Sequence, residues 1–225
     1  MIQKLKNVFL FVSKINLVSF IYLNYFCKAV VRTDKSRIIP YKHAIIEFAP
    51  GSRMFLAGGD MEIGCEILKG SKAETHIRLR ENAVWSAQGG CSLAYNVTVE
   101  VLSGALLESK FFTMNSNSVL IAAKKIVLGQ DVMIARNVVI YDSDFHSILG
   151  QKGEVLNESK PVILGDHIWL GTNSIILKGT EIGNNSIVGA NSIIRAHIDE
   201  NTIATVENRI VYRKNPGGWE RKAPN

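Results

Sequence analysis

The segment with the clearest chemical potential is residues 141–147, Tyr-Asp-Ser-Asp-Phe-His-Ser. An imidazole such as that of His146 exchanges protons near neutral pH and can act as a general base. A neighbouring carboxylate, either Asp142 or Asp144, can hold the other ring nitrogen and fix the useful tautomer. Taken alone, Asp-Ser-Asp is more typical of a turn with a solvated histidine. The sequence around the segment must decide between these interpretations.

A six-residue repeat surrounds this segment and favours the chemical interpretation. Aliphatic residues recur at every sixth position, stop before the segment and resume after it: Leu128, Ile134, Ile140, Leu164, Leu170, Ile176, Ile182, Val188 and Ile194. A helix would repeat every 3.6 residues and a strand every two. Six residues instead make one short strand and a corner, so three hexads close a triangular coil. The aliphatic residues then stack inside the coils at the parallel-strand spacing of about 4.8 Å.

The repeat predicts an all-β fold, a parallel β-helix, with three parts. Residues 1–44 form an N-terminal helical or irregular element, residues 45–205 the β-helix, and residues 206–225 a basic tail. The hexads are degenerate before residue 128, where short apolar runs alternate with glycine-rich corners. The break in the repeat predicts a loop extruded at about 142–161, a common way to mount functional groups on a rigid scaffold.

The N-terminus predicts a basic amphipathic helix within residues 1–31. Its polar residues fall largely on one helical face: Lys4, Lys6, Asn7, Ser13, Lys14, Asn24 and Lys28. The apolar runs are too short to span a bilayer, and no signal-peptide cleavage site follows. The helix therefore packs on the main domain or a neighbouring subunit, or it attaches to a membrane surface. We expect a cytoplasmic protein, with attachment at the inner membrane face as the alternative.

Composition narrows the range of partners. The net charge of +6 suits a polyanionic ligand, but the chain has no nucleic-acid-binding motif. The three cysteines, Cys27, Cys65 and Cys91, are far apart and lack CxxC spacing. They predict free thiols in a reducing compartment, with neither a disulfide framework nor a cysteine zinc site.

At this point the sequence resembles the hexapeptide-repeat acyltransferases, and among them the enzymes that O-acetylate bacterial surface polysaccharides. Residues 138–146 (VVIYDSDFH) resemble the block that carries their catalytic histidine. Residues 168–171 (IWLG) resemble the block lining their coenzyme A channel, and residues 182–192 resemble their penultimate coils. The resemblance covers about residues 60–213. It implies left-handed coils, homotrimers and acetyl-CoA as co-substrate, with no metal.

The resemblance also implies roles for particular residues. His146 would take the proton from a sugar hydroxyl, whose oxygen attacks the thioester directly, while a backbone N–H stabilises the oxyanion. Asp144 or Asp142 would orient His146, and Asn115 would bind the acceptor. The residues matched to the coenzyme A site are Trp169, Gly171, Ala190, Arg195, Arg209 and Arg213. Two departures affect these assignments: the usual Gly-x-Pro-Ala ending is absent, and Ala123 stands where some relatives carry an acidic residue.

Three other functions stay open. An N-acetyltransferase acting on a nucleotide-linked amino sugar would use the same fold and co-substrate. A γ-type carbonic anhydrase needs three histidines that converge on zinc, but His167 and His197 are not a whole number of eighteen-residue coils apart. A non-catalytic β-helix that serves as a membrane-associated scaffold would bind no coenzyme A.

Overall fold

The computed structural model describes residues 12–207, most of which wind into a three-sided parallel β-helix. The strands are β1 (Val30–Arg32), β2 (Ile38–Pro40), β3 (Ala44–Phe48), β4 (Arg53–Ala57), β5 (Met61–Cys65), β6 (Thr75–Leu79), β7 (Val84–Gln88), β8 (Cys91–Ala94), β9 (Thr98–Val101), β10 (Leu106–Ser109), β11 (Phe112–Met114), β12 (Val119–Ala122), β13 (Lys125–Leu128), β14 (Val132–Ile134), β15 (Val139–Tyr141), β16 (Val162–Leu164), β17 (Ile168–Leu170), β18 (Ile175–Ile176), β19 (Glu181–Ile182), β20 (Ile187–Val188), β21 (Ile193–Ile194), β22 (His197–Ile198) and β23 (Ile203–Ala204).

Every third strand joins the same sheet. The first sheet runs from β1 through β4 to β22, the second from β2 through β5 to β23, and the third from β3 through β6 to β21. Each strand pairs in parallel with the equivalent strand one coil away. The predicted all-β solenoid is therefore confirmed. Its three edges are the first–second, second–third and third–first corners, named after the sheets that they join.

The hexad residues point into the prism, as the repeat predicts. All nine aliphatic positions from Leu128 to Ile194 are buried. Successive hexads fall on successive sheets, so that Leu164 pairs with Ile182 in the first sheet and Leu170 with Val188 in the second. Burial of aliphatic side chains in such a stack is the main favourable contribution to the stability of the solenoid.

Coil size explains why the hexads fade toward the N-terminus. Glu181 pairs with Ile163, eighteen residues before it, whereas Leu106 pairs with Val84, twenty-two residues before it. The wider coils enclose larger side chains, including the fully buried Trp85 and Phe112. Their ring centroids lie 6.4 Å apart. Longer strands and larger core residues break the six-residue period without changing the sheets.

The predicted boundary at residue 45 is too late. Strand β1 begins at Val30 and pairs with β4, so the first coil lies within the segment assigned to the N-terminal element. Charged residues separate the short apolar runs of this coil, and hexad spacing does not reveal them. The β-helix therefore starts well before its repeat becomes visible in the sequence.

A short helical segment covers the start of the solenoid. It comprises α1 (Leu17–Ile21) and a π-helical turn (Tyr22–Phe26). Leu23 is buried against the core, and the side-chain amide of Asn24 donates to the carbonyl of Ile38 at 2.7 Å. The outward face exposes large apolar side chains: Leu17, Val18, Ile21, Tyr22, Tyr25 and Phe26. The face of the helical segment with Leu23 and Asn24 thus packs on the β-helix, as one of the predicted alternatives requires, and the opposite face is exposed. The predicted polar positions Lys4, Lys6 and Asn7 lie outside the described residues.

No helix among residues 12–207 is long and apolar enough to cross a membrane. The three cysteines lie in the described part of the chain, where each is buried and free of disulfide bonds. Burial raises the pKa of the Cys65 thiol to about 12, which keeps that thiol in its unreactive neutral form.

Two kinds of residue shape the corners. Asparagines adopt the left-handed backbone region, with φ of 57° at Asn137 and 60° at Asn173. Their side chains form ladders along the edge, in which the Asn137 amide donates to Asn173 and the Asn173 amide to Asn191, both at 3.0 Å. The glycine at Gly171 serves a different purpose. A Cβ there would lie 2.6 Å from the backbone nitrogen of Ala190, so only glycine permits this stacking.

Candidate functional site

The predicted loop leaves the prism at the third–first corner, between β15 and β16. Residues 142–161 separate these strands, in agreement with the break in the hexads. An antiparallel bridge between Leu149 and Val155 closes the outer part of the loop into a hairpin. His146 lies at the base of this hairpin and is exposed. Within residues 12–207 its imidazole makes no hydrogen bond or ion pair, and the residue is open to solvent.

Asp142 anchors the first residues of the loop to the preceding coil. Its side chain is fully buried, and its carboxylate accepts hydrogen bonds from the backbone N–H groups of Ala123 at 2.7 Å, Lys124 at 2.8 Å and Lys125 at 2.6 Å. Both carboxylate oxygens therefore accept hydrogen bonds. Asp142 anchors the loop, and the structure shows no bond from its carboxylate to the imidazole of His146.

Asp144 is held from the opposite side, by the coil that follows the loop. Its Oδ2 atom accepts hydrogen bonds from Lys178 Nζ at 2.5 Å and from the side-chain amide of Asn157 at 2.9 Å. The Lys178 ammonium, followed by the Asn157 amide, holds the pKa of the Asp144 carboxyl below its usual range. These bonds join Asp144 to Lys178 and Asn157, and the structure shows no bond from the Asp144 carboxylate to the imidazole of His146.

The backbone of His146 is fixed on both sides. Its N–H donates to the carbonyl oxygen of Asp144 at 2.8 Å, and its carbonyl accepts from the Asn157 amide at 2.8 Å. Phe145 occupies the left-handed region with φ of 61° and packs edge-on against Tyr141, with ring centroids 5.1 Å apart. The loop thus presents an accessible imidazole on a constrained backbone, which is the arrangement that a general base requires.

Sequence reasoning missed Lys178 and Asn157. A lysine next to a corner glycine is the usual pattern of a solvated charge, and an asparagine late in a polar loop is unremarkable. The one available signal was position: Lys178 lies one coil beyond the loop, on the edge from which the loop leaves. That relation becomes visible only when the coil length is known.

Trp169 lies on another side of the prism. It is 47% exposed on the second sheet, in a shallow groove of about 210 Å³ that it forms with Met133 and Ile187. At one rim of the groove His167 Nδ1 lies 2.7 Å from Asp131 Oδ2. The groove is largely apolar, with a polar margin.

The remaining predicted residues divide between two corners. Gly171, Ala190 and Asn115 follow strands of the second sheet and lie at the second–third corner. Arg195 follows β21 at the third–first corner, on the same edge as the loop, and its charge contributes to the lowered pKa of Asp144. Arg209 and Arg213 lie outside the described residues. Within one chain, Arg195 therefore lies on the edge that carries the His146 loop, while Trp169 lies on the second sheet.

No group of three histidine, cysteine, aspartate or glutamate side chains able to hold a metal ion occurs in the part of the chain that the structure describes. In particular, His167 pairs with Asp131, while His197 pairs with Glu181 at 3.4 Å and Asp199 at 3.3 Å. These histidines do not converge with His146 on one point.

Comparison with known proteins finds a family match and several relatives. Residues 161–196 match the family described as bacterial transferase hexapeptide (six repeats). The putative lipopolysaccharide biosynthesis O-acetyl transferase WbbJ of Escherichia coli K12 is 32% identical over 131 residues, covering 52% of this chain and 66% of the relative. The polysialic acid O-acetyltransferase of Neisseria meningitidis is 45% identical over 69 residues, covering 30% of this chain and 32% of that relative. The crystal structure of a polysialic acid O-acetyltransferase aligns with a TM-score of 0.46 and 22% identity over 83% of this chain and 93% of that one.

These findings confirm the resemblance to the hexapeptide-repeat acyltransferases. The chain carries the repeat, folds as parallel coils and shares sequence with proteins named O-acetyltransferases. The relatives include proteins named for lipopolysaccharide and polysialic acid. The chain spans between about a third and two thirds of the length of these two relatives.

Proposed function

We propose that this protein is an acetyl-CoA-dependent O-acetyltransferase that modifies a sugar hydroxyl of a bacterial surface polysaccharide or of its precursor. The observation that carries the proposal is His146, an exposed imidazole with a constrained backbone on the one loop that interrupts the hexads. The names of the sequence relatives support the reaction class and the type of acceptor.

In the proposed reaction His146 accepts the proton of the sugar hydroxyl as the oxygen attacks the acetyl carbonyl carbon. The C–S bond of the thioester then breaks, and the proton passes to the departing thiolate, so that an acetyl ester and free coenzyme A result. General-base assistance of this kind contributes about 10²–10⁴-fold to the rate. A backbone N–H group near the carbonyl oxygen would stabilise the negative charge that develops there.

We also propose that the active site is completed between copies of the chain in a homotrimer. The groove at Trp169 has the exposed apolar surface that suits the uncharged arm of acetyl-CoA, and Arg195 offers a guanidinium to a phosphate. The groove and the His146 loop lie on different sides of one prism. A neighbouring prism placed beside the loop could bring its own groove to His146, which a single copy does not do.

The N-terminal segment supports a peripheral membrane contact as part of the proposal. Its outward face exposes Tyr22, Tyr25 and Phe26, and aromatic side chains suit the boundary between lipid and water. Asp34 is the first acidic residue of the chain, after five lysines and arginines. Anionic lipid is therefore the partner that both features favour, and the enzyme would act at the inner face of a membrane.

The proposal is tested by incubating the purified protein with acetyl-CoA and a panel of surface glycans, with release of free thiol as the readout. We expect acetyl transfer, and we expect the product ester to be cleaved by mild alkali. The variant His146→Ala should keep its fold and its affinity for coenzyme A but lose about 10²-fold or more in turnover. The matched control is His76→Ala, because His76 is partly exposed on the third sheet and far from the loop in sequence.

Three outcomes would overturn the proposal. Turnover of His146→Ala at the wild-type level would show that His146 is not the general base. A product that resists mild alkali would indicate an amide, and the acceptor would then be an amino sugar. Absence of coenzyme A binding at millimolar concentration would instead support a non-catalytic scaffold.

A further inference from the structure

We propose that Lys178 is the positioning residue of the active site, because its buried ammonium group holds the backbone of His146 in place through Asp144 and Asn157. The inference rests on the proposed function, in which His146 is the general base. It adds a residue from a different coil to the site.

The environment of Lys178 is unusual for a lysine. Only 2% of its side chain is exposed, although lysine is almost never fully buried unless its charge is paired. The ammonium donates to Asp144 Oδ2 at 2.5 Å and to the carbonyl oxygen of Asn157 at 2.7 Å. A buried charge is costly without such partners, so Lys178 and the two ends of the loop constrain each other.

Both partners of Lys178 hold His146 directly. The Asn157 amide donates to the carbonyl oxygen of His146 at 2.8 Å and to Asp144 Oδ2 at 2.9 Å. The backbone N–H of His146 donates to the carbonyl oxygen of Asp144 at 2.8 Å. The peptide groups on either side of His146 are therefore fixed by the two residues that Lys178 joins.

The geometry separates positioning from substrate binding. The ammonium of Lys178 is covered, so a substrate cannot reach it while these bonds are intact. Asp144, in contrast, has 44% of its side chain exposed and can be hydrated when Lys178 is replaced. Loss of the lysine should therefore loosen the loop more than it destabilises the prism. A base displaced by about 1 Å can lose on the order of 10² in rate, with little change in donor binding.

The test compares Lys178→Met, which keeps the length and removes the charge, with Lys160→Met. Lys160 lies near the end of the same loop and is exposed, so it is a matched control for loss of one positive charge. Asn157→Ala is the second variant, because it removes the side-chain bonds to His146, Asp144 and Ile148 while the Asn157 carbonyl can still accept from the buried lysine. Steady-state kinetics with acetyl-CoA and amide hydrogen exchange of residues 143–157 are measured on each full-length protein.

We expect Lys178→Met and Asn157→Ala to lower kcat about tenfold or more, with KM for acetyl-CoA within about twofold of wild type. Exchange at residues 143–157 should be at least about tenfold faster, while strands β17 and β20 exchange as in wild type. Adding Asp144→Asn to Lys178→Met should lower kcat by less than the product of the two single effects, since both changes act on the contact between Lys178 and Asp144. Lys160→Met should match wild type in each measurement.

Other results would overturn the inference. A folded Lys178→Met protein with wild-type kcat and wild-type exchange would show that the lysine positions nothing. A raised KM with unchanged kcat would assign Lys178 to substrate binding. If the wild-type protein transfers no acetyl group, the proposed function fails, and exchange alone decides whether Lys178 holds the loop.

Discussion

Replacing Asp142 by asparagine should destabilise the protein far more than an ordinary change of charge would. Asp142 is fully buried and accepts three backbone hydrogen bonds from residues 123–125. Asparagine has nearly the same shape but offers one acceptor oxygen in place of two. If that oxygen retains the bonds from Lys124 and Lys125, the new amide group faces the N–H of Ala123, and two donors then oppose each other.

The magnitude follows from these contacts. A hydrogen bond to a charged group contributes about 1.5–3 kcal/mol, and a neutral one about 0.5–1.5 kcal/mol. Asp142→Asn loses the bond from Ala123 entirely and weakens the other two, so we expect a loss of about 3 kcal/mol in the free energy of unfolding. For a protein of this size the corresponding fall in melting temperature is about 6–12 °C.

The assay is thermal and urea unfolding of Asp142→Asn beside wild type, followed by circular dichroism. The matched control is Asp199→Asn, because the Asp199 side chain is 90% exposed and should contribute within about 0.5 kcal/mol. A solenoid can unfold in segments, so hydrogen exchange at residues 123–125 should accompany the measurement. A loss below about 1 kcal/mol for Asp142→Asn, with intact exchange protection, would refute the reasoning.

Two further predictions concern the acid stability of the loop and the N-terminal face. Because the pKa of Asp144 is lowered in the fold, its bonds contribute stability above the ordinary carboxyl pKa of about 3.9 and lose it as the pH falls through the lower folded value. The difference in melting temperature between wild type and Asp144→Asn should therefore stay constant from pH 8 to about 5 and shrink below about pH 4; shrinkage already between pH 7 and 5 would point to another titrating group. Replacing both Tyr25 and Phe26 by serine should weaken binding to phosphatidylglycerol vesicles about tenfold or more. Equal binding of the variant and wild type in a sedimentation assay would refute the membrane contact, and Val155→Ser serves as the exposed apolar control.

The C-terminal coils could be predicted from the sequence because a narrow prism leaves little choice of side chain. Each inward position near Leu170 and Ile176 accepts only an aliphatic residue of similar size, so the period appears in the sequence. The wide coils around Trp85 accept several shapes and strand lengths, and the same architecture there leaves no regular spacing. The early start of the β-helix at Val30 was missed for this reason.

The site could be predicted only in part, because its contacts cross between coils. The break in the hexads identifies the loop, and the chemistry of imidazole identifies His146 within it. The roles of the two aspartates depend on which backbone and side-chain groups the adjacent coils bring beside them. Asp142 meets residues 123–125 of the coil before the loop, and Asp144 meets Lys178 of the coil after it. Such neighbours are separated by a coil length that the sequence does not state.

The asparagine ladders have a consequence for how a protein of this kind can change its length. The side-chain amide of the earlier asparagine donates to the side-chain oxygen of the later one, from Asn173 to Asn191 at the second–third corner and, in a further pair at the first–second corner, from Asn185 to Asn201. The later asparagine of each pair therefore keeps a side-chain N–H group that can donate to an asparagine of the next coil. An inserted or deleted segment preserves this sequence of rungs, and the three sheets, only when it amounts to a whole turn of the prism. Genetic changes in the length of the solenoid should therefore come in complete coils, while insertions of any other size are tolerated in loops that leave a corner, such as the one that carries His146.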